Sequence, residues 1–458
     1  MTRADVVVIG MGPGGEHVAG ELAAAGLDVV GIDRRLLGGE CPYWGCVPTK
    51  MMVRAADALA EARRIPGLAG RSTVEPDWAP VAARIRAEAT DNWDDAVAVE
   101  RFEGQGGRFV RGAGRLVGRG VVEVDNETYE ADRAVVLATG TEPAIPPIPG
   151  LDRVDHWTNR DAVETTTRPE SLIVLGGGAI GAELAQVFAR FGTEVTVVEA
   201  LDRLVANEEP EIGARLADVF ESDGITVHTG VKVVGAEGNG EGDGAEIVVR
   251  LEDGRSLSAQ RLLVATGRRT DLAAVGAGAV GIDESAPAVP VDEHLRVVGA
   301  DRMWAVGDVT GKGAFTHVAM YQARIAIDDI LGRDHRPADY KALPRVTFTD
   351  PEVGSVGRTA AAARQARVEV RTGSTDVATT ARGWIHRADG IIKLVADADR
   401  RVLVGATVMA PSGGEVLGLL ALAVHAEVPV DDLRSMIYAY PTLHRGVQDA
   451  LRDLADRW

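Results

Sequence analysis

The chain has 458 residues, 46% of them hydrophobic and 26% charged, a composition that suits a soluble globular enzyme of about three domains. Its formal net charge of −19 argues against nucleic acid or an anionic membrane as a partner, since both require a basic surface. No apolar run approaches the length needed to span a bilayer, and the opening MTRADVVVIGMGPGG lacks the apolar core and cleavage site of a secretory signal, so a cytoplasmic setting is expected.

Residues 5–34 read as strand, Gly-rich turn, helix and strand. The apolar run 6–9 suits a buried strand, and Gly10, Gly12 and Gly15 fit G-x-G-x-x-G directly after it. The first glycine permits the tight turn, the second lets a pyrophosphate approach the backbone, and the third allows helix and strand to pack. The helix N-terminus then faces the phosphates. Residues 17–25 are Ala-rich and helical, 27–32 form a second short strand, and Asp33 stands where a carboxylate binds a ribose hydroxyl.

Next comes GGECPYWGCVPTK, residues 38–50, with the only two cysteines of the sequence, Cys41 and Cys46. A disulfide between residues this close would close a small loop and constrain the unfolded chain very little, which favours a chemical over a structural use. Two unrelated thiols and half a metal site are the alternatives. Structural zinc wants about four Cys or His ligands, so zinc is disfavoured and no resident metal is expected. In a cytosolic setting a Cys pair is usually catalytic or redox-sensing. The chain has only five lysines, which draws attention to Lys50 beside the pair.

This stretch resembles the redox-active disulfide of the class I pyridine nucleotide-disulfide oxidoreductases, a family that includes dihydrolipoamide dehydrogenase and the glutathione, mycothione and mercuric reductases. Its usual form is GG-T-C-x-N-x-GC-x-P-[ST]-K. Tyr43 and Trp44 depart from it, making the intervening loop bulkier and more aromatic, which hints at the molecule reduced.

Residues 51–64 continue as a helix from the cysteines, and residues 77–103 read as another. Trp78, Val81, Ile85 and Trp93 on the latter are expected in the core or a subunit contact. PAIPPIPG, residues 143–150, is stiff and extended, a crossing between domains. The nucleotide-binding unit then repeats in residues 171–200 with Gly176, Gly178, Gly181 and Glu199. Each stands 166 positions beyond its counterpart, Gly176 against Gly10 and Glu199 against Asp33. A repeat that preserves both the glycine spacing and the acid implies two dinucleotide-binding domains. Two ATG turns, ending at Gly140 and Gly267, repeat as well.

The first unit runs straight into the cysteines, and a flavin can pass electrons from nicotinamide to a disulfide, so FAD is assigned there. The second unit takes the nicotinamide. Glu199 would accept from an unphosphorylated ribose and repel a 2′-phosphate, and the nearest following arginine is Arg203, so NAD(H) is favoured over NADP(H). Residues 235–246 read as a solvated Gly-rich hairpin or loop tip. MWAVGDVTG, residues 303–311, puts Asp308 at a sheet edge, and the helix after it points its N-terminus at the flavin. From about residue 344 alternating strands give way to helices over 415–426 and 443–456.

The resemblance covers the chain end to end. It implies an α/β fold with two Rossmann-like dinucleotide-binding domains plus a C-terminal α+β dimerisation domain, and hence a homodimer. The boundaries are 1–147 with 269–340 for FAD, 148–268 for NAD(P), and 341–458 for dimerisation. It implies that Asp308 holds the flavin's ribityl chain and that Arg34, Gly39, Lys50, Thr139, Gly140, Ala319, Ile180 and Gly267 line the cofactors. Cys46 would contact the flavin and Cys41 exchange with substrate, while Lys50 and Glu183 match an ion pair near flavin N5. Ala179 replaces a tyrosine lid found in some members.

One departure bears on mechanism. The family ends in H-P-T-x-x-E, whereas this chain has YAYPTLHRG, with Tyr440 at the His position and Arg445 at the Glu position. A tyrosine with a pKa of about 10 is a poor proton acceptor at neutral pH but a serviceable donor, which argues for a reductase rather than a dihydrolipoamide dehydrogenase. His444, one turn on, is a second candidate donor. Mercuric reductases add a C-terminal cysteine pair, which is not present here. The leading expectation is a homodimeric FAD- and NAD(P)H-dependent reductase of a disulfide or related acceptor, a small-molecule disulfide or another electron acceptor. A quinone, dye or metal-ion reductase and a non-catalytic redox-sensing subunit are the alternatives.

Overall fold

A computed structural model describes residues 1–239 and 246–458, and the chain separates into two compact units. The first unit comprises residues 1–49, 82–144 and 267–339. At its centre Thr2–Ile9 lies between Val29–Asp33 and Glu127–Leu137, parallel to both. Arg108–Arg111 extends one side in parallel, and Met303–Ala305 also pairs with Glu127–Leu137. Strand alternation sends Val6 and Val8 into one core with Val18, Leu22 and Ile325, and Val7 and Ile9 into another with Leu116 and Val122. Burial on both faces is why the run 6–9 is apolar without alternation. The helices Pro13–Ala24 and Thr316–Leu331 cover the first face.

The helix expected over 77–103 is not continuous. Ala79–Arg84 passes into a π-helical turn, Ile85–Ala89, and a new helix begins at Ala96. Between them Asp91, Asn92 and Trp93 all have positive φ, at 47°, 55° and 57°. Left-handed backbone is costly for a residue with a Cβ, so three in succession end the helix. Trp93 is held there by its indole N–H, which donates to Tyr43 O at 3.3 Å, and by Arg86 over its ring. Trp78, Val81 and Ile85 are buried as expected.

The second unit comprises residues 50–81, 145–266 and 340–458. Its parallel sheet runs Thr226–Thr229, Glu194–Glu199, Ser171–Leu175, Arg261–Val264. Val233–Asn239 and Glu246–Leu251 form antiparallel flanks of the expected Gly-rich hairpin, whose tip, residues 240–245, lies outside the described residues. A five-stranded antiparallel sheet from Pro344–Thr347 to Val370–Asp376 carries the helices Gly413–His425 and Leu443–Ala455. Buried Arg190, which closes the helix Ala179–Arg190, donates to Asp57 at 2.7 Å, Asp350 at 2.8 Å and Asp223 at 3.2 Å. No helix among the described residues is long and apolar enough to cross a membrane.

Candidate active site

Each Gly-rich turn is built by sterics that the sequence spells out. At Gly10, φ is +94° and an added Cβ would lie 2.4 Å from Ala138 O. At Gly15 it would lie 1.9 Å from Gly10 O, so helix and strand could not close together. Gly12 differs: its Cβ would meet nothing nearer than Gly39 Cα at 4.0 Å, which leaves the space before the helix Pro13–Ala24 open. That helix has no side-chain cap, so its first N–H groups are available to an anion. Gly39, with φ +67°, makes the close approach possible, since a Cβ there would sit 2.7 Å from Gly12 Cα. A dinucleotide fits this arrangement.

Asp33 ends the second strand and is held by its own backbone. Its Oδ2 accepts from Met11 N at 2.7 Å and its Oδ1 from Arg35 N at 2.8 Å, while burial pushes its carboxyl above the usual range. Arg34 reaches Glu142 at 2.6 Å. Thr139 and Gly140 follow Glu127–Leu137, and the next residue, Thr141, donates to Asp308 Oδ2 at 2.9 Å. Burial raises the Asp308 carboxyl, and Arg268, bonded to Thr141, works against that rise. Ala319 is buried beneath Gly14, so it is packed as well as close to the turn. Gly267, at φ +123°, accepts from Ala144 N.

No disulfide joins the cysteines, Cys41 lying in the short helix Glu40–Tyr43 and Cys46 being the first residue of Cys46–Arg64. The Cys46 thiol beside it, and then burial, push the Cys41 thiol well up. Negative charge on Cys46 is favoured by its place at a helix N-terminus. Cys46 Sγ is also 3.4 Å from Thr316 Oγ1, a contact the sequence did not suggest. Cys41 opens on a cavity of about 640 Å³ walled by Glu16, His17, Tyr43, Asp94, Arg101 and Thr316. Trp44 and Tyr43 are both buried, and only Tyr43 reaches the cavity wall. Burial pushes the Tyr43 phenol up to about 12, because an anion there would be desolvated beside the Asp95 and Glu16 charges. His17 lines the same cavity.

The second turn repeats the first. Gly176 has φ +103°, and a Cβ on Gly181 would lie 1.9 Å from Gly176 O. Gly178 has open space around it, and Ile180 beside it is exposed. Glu199 Oε2 accepts from Gly177 N at 2.6 Å and Oε1 from Leu201 N at 2.7 Å. Arg203 turns to Ala206 O at 2.8 Å and Asp202 at 2.9 Å. Within the same unit Lys50 is paired with Glu183, which is buried and whose Oε1 accepts from Phe348 N at 2.8 Å. Lys50 also lies over the Phe348 ring at 4.6 Å. Sequence reasoning missed Phe348, whose backbone donor has no side-chain signature. Tyr440 is exposed, and His444 stands in the first turn of Leu443–Ala455.

A family model described as pyridine nucleotide-disulphide oxidoreductase matches residues 4–323, and one for the dimerisation domain of that family matches residues 343–451. The chain belongs to the pyridine nucleotide-disulphide oxidoreductase family. This oxidoreductase is 34% identical over 457 residues to a mercuric reductase of Streptomyces lividans, covering 96% of this chain and 94% of that one. It is 33% identical over 460 residues to a dihydrolipoyl dehydrogenase of Chlorobaculum tepidum, covering 98% and 96%. Among solved structures, LpdA from Mycobacterium tuberculosis superposes with a TM-score of 0.84 at 27% identity, over 99% of both chains. The Cu(II) complex of RclA from Escherichia coli, described as an HOCl-induced flavoprotein disulfide reductase, gives 0.84 at 25%, over 100% of both. Members of the family are FAD-dependent NAD(P)H oxidoreductases, and this oxidoreductase is one of them.

Proposed function

We propose that the chain is an NADH-dependent disulfide reductase in which Cys41 and Cys46 form the redox pair. Bound FAD would carry an electron pair from the nicotinamide to the cysteines. Gly10, Gly12, Gly15, Gly39 and Asp33 would hold its nucleotide half, and Asp308 the flavin side. Gly176, Gly178, Gly181, Ile180 and Glu199 would hold the nicotinamide dinucleotide. A preference for NADH is supported by Glu199, which would repel a 2′-phosphate, and by Arg203, whose guanidinium is already turned to Ala206 O and Asp202. The domain boundaries expected from sequence, the homodimer and a cytoplasmic location belong to the same proposal.

The observation that carries it is the cysteine pair itself: two thiols in hydrogen-bond contact, one on a helix N-terminus, the other facing a cavity. Cys41, once deprotonated, attacks one sulfur of the acceptor and expels the other as a thiol. Cys46 thiolate then attacks Cys41 Sγ, releases the second product thiol and leaves the Cys41–Cys46 disulfide. Two electrons and two protons reach the acceptor, and NADH with one proton from solution restores the pair. Tyr440 or His444 of the partner subunit would protonate the departing thiolate.

Anaerobic addition of one equivalent of NADH to the oxidised enzyme should expose two titratable thiols per chain. An unchanged thiol count would refute the proposal. A second reading, a quinone, dye or metal-ion reductase, is favoured by Tyr440 and Arg445 standing where the family has His and Glu. Quinone reduction that survives Cys41→Ser while disulfide reduction is lost would select it.

A further inference from the structure

Away from the thiols, the first unit holds another set of ligating side chains. Among the described residues, His294, Asp329 and His335 form the one group of three His, Cys, Asp or Glu whose ligand atoms all lie within 4.8 Å of one another. Asp329 is in the last turn of Thr316–Leu331 and His335 follows the Gly332 cap of that helix. His294 sits in a turn closed by Asp292, whose Oδ1 accepts from His294 N and Arg296 N.

The imidazoles are already oriented. His335 Nδ1 is 3.0 Å from Arg333 O. A carbonyl only accepts, so Nδ1 carries the proton and Nε2 keeps its lone pair. That Nε2 is 2.9 Å from His294 Nδ1 and 3.8 Å from Asp329 Oδ1, with the two rings perpendicular at 88°. A tetrahedral ion bound at about 2.0–2.1 Å keeps its ligands about 3.3 Å apart. These two separations bracket that value and each needs a shift of about half an ångström, while the third, between His294 and Asp329, lies within 4.8 Å. Asp329 is supported from behind: Trp304 Nε1 and Arg296 Nε donate to Oδ2 at 2.8 and 2.7 Å. Oδ1 receives one Arg296 N–H at 2.5 Å, and a carboxylate oxygen has a further lone pair. The guanidinium charge opposes a cation, while its N–H groups aim the carboxylate.

We propose that His294 Nδ1, His335 Nε2 and Asp329 Oδ1 bind one divalent transition-metal ion of borderline softness, Zn²⁺ or a neighbour such as Ni²⁺ or Cu²⁺, with water completing the shell. Neutral His294 transfers its proton from Nδ1 to Nε2, so both imidazoles act as neutral donors and no proton is lost. The ion ties the turn around His294 to the segment leaving the helix, and it is independent of the thiol chemistry.

The test uses flavin-loaded enzyme carrying Cys41→Ser and Cys46→Ser, so that no thiol competes for metal. After treatment with chelator, equilibrium dialysis against Zn²⁺ should load one ion per chain. His335→Ala should weaken binding at least tenfold, and Trp304→Phe, which removes a support of Asp329, about tenfold. Equal Zn²⁺ uptake by the parent and a His294→Ala, His335→Ala variant would overturn the proposal. Should those variants misfold, the parent loaded with one Cu²⁺ decides: nitrogen couplings from two imidazoles in its EPR spectrum support the site, and an oxygen-only spectrum overturns it.

Discussion

Gly12→Ala separates what the first Gly-rich turn does for the fold from what it does for a ligand. Gly12 has φ −70° and ψ −176°, a backbone conformation open to any residue, and its Cβ would have no neighbour closer than 4.0 Å. The flavin-free variant should therefore be at least as stable as wild type, with a gain of about 0.4–1 kcal/mol from the stiffer unfolded chain. The new methyl fills space that a pyrophosphate oxygen needs to reach the helix N–H groups. Losing one such charge-assisted bond costs about 1.5–3 kcal/mol, or about 10–150-fold in FAD affinity. Gly178 has the same geometry, φ −74° and ψ −174°, and open surroundings. Gly178→Ala should leave the flavin content alone and raise the KM for NADH by a similar factor. Flavin absorbance per chain, NADH kinetics and urea unfolding of the flavin-free proteins measure all three. Full flavin in Gly12→Ala, or lost flavin in Gly178→Ala, would refute the assignment of the two turns. Loss of stability in Gly12→Ala would refute the steric argument.

Lys50→Met should destabilise the enzyme by about 1–3 kcal/mol, because buried Glu183 would keep only the Phe348 N–H. Glu183→Gln should cost less, since Lys50 is partly exposed; the reverse ranking in urea unfolding would count against this reading. Burial, and then the Asp350 charge beside it, push the Asp57 carboxyl up to about 6, above its unfolded value of about 3.9. A raised carboxyl pKa contributes stability that is complete below pH about 4 and falls away as pH rises to about 6. Asp57→Asn removes that slope, so its Tm relative to wild type should climb from pH 4 to pH 6; a flat or falling difference would show the sign wrong.

Both nucleotide-binding turns were legible in the sequence because their glycines answer to backbone contacts. Gly10, Gly15, Gly176 and Gly181 have no room for a Cβ, so their spacing carries the geometry directly. The acids at 33 and 199 were legible for the same reason, as each closes onto backbone N–H groups. The break at Asp91–Trp93 was hidden because a tryptophan gives no local sign of a left-handed conformation, and a distant carbonyl, Tyr43 O, holds it. Tyr43 and Trp44 gave a hint about the molecule reduced; both rings are buried, and Tyr43 also lines the cavity beside Cys41. His294, Asp329 and His335 come together through tertiary folding of two separate stretches, without a spacing motif to announce them.

The twin turns also bear on how such an enzyme can change. A Cβ on Gly15 or on Gly181 meets its carbonyl at the same 1.9 Å, as expected of two copies descended from one ancestral segment. Yet each acid is anchored by amides of its own copy, so neither nest relies on the other. On the proposed assignment of the two nests, coenzyme choice can drift by replacing Glu199 alone, with the flavin nest undisturbed, and a laboratory selection for NADPH should find its first gains there.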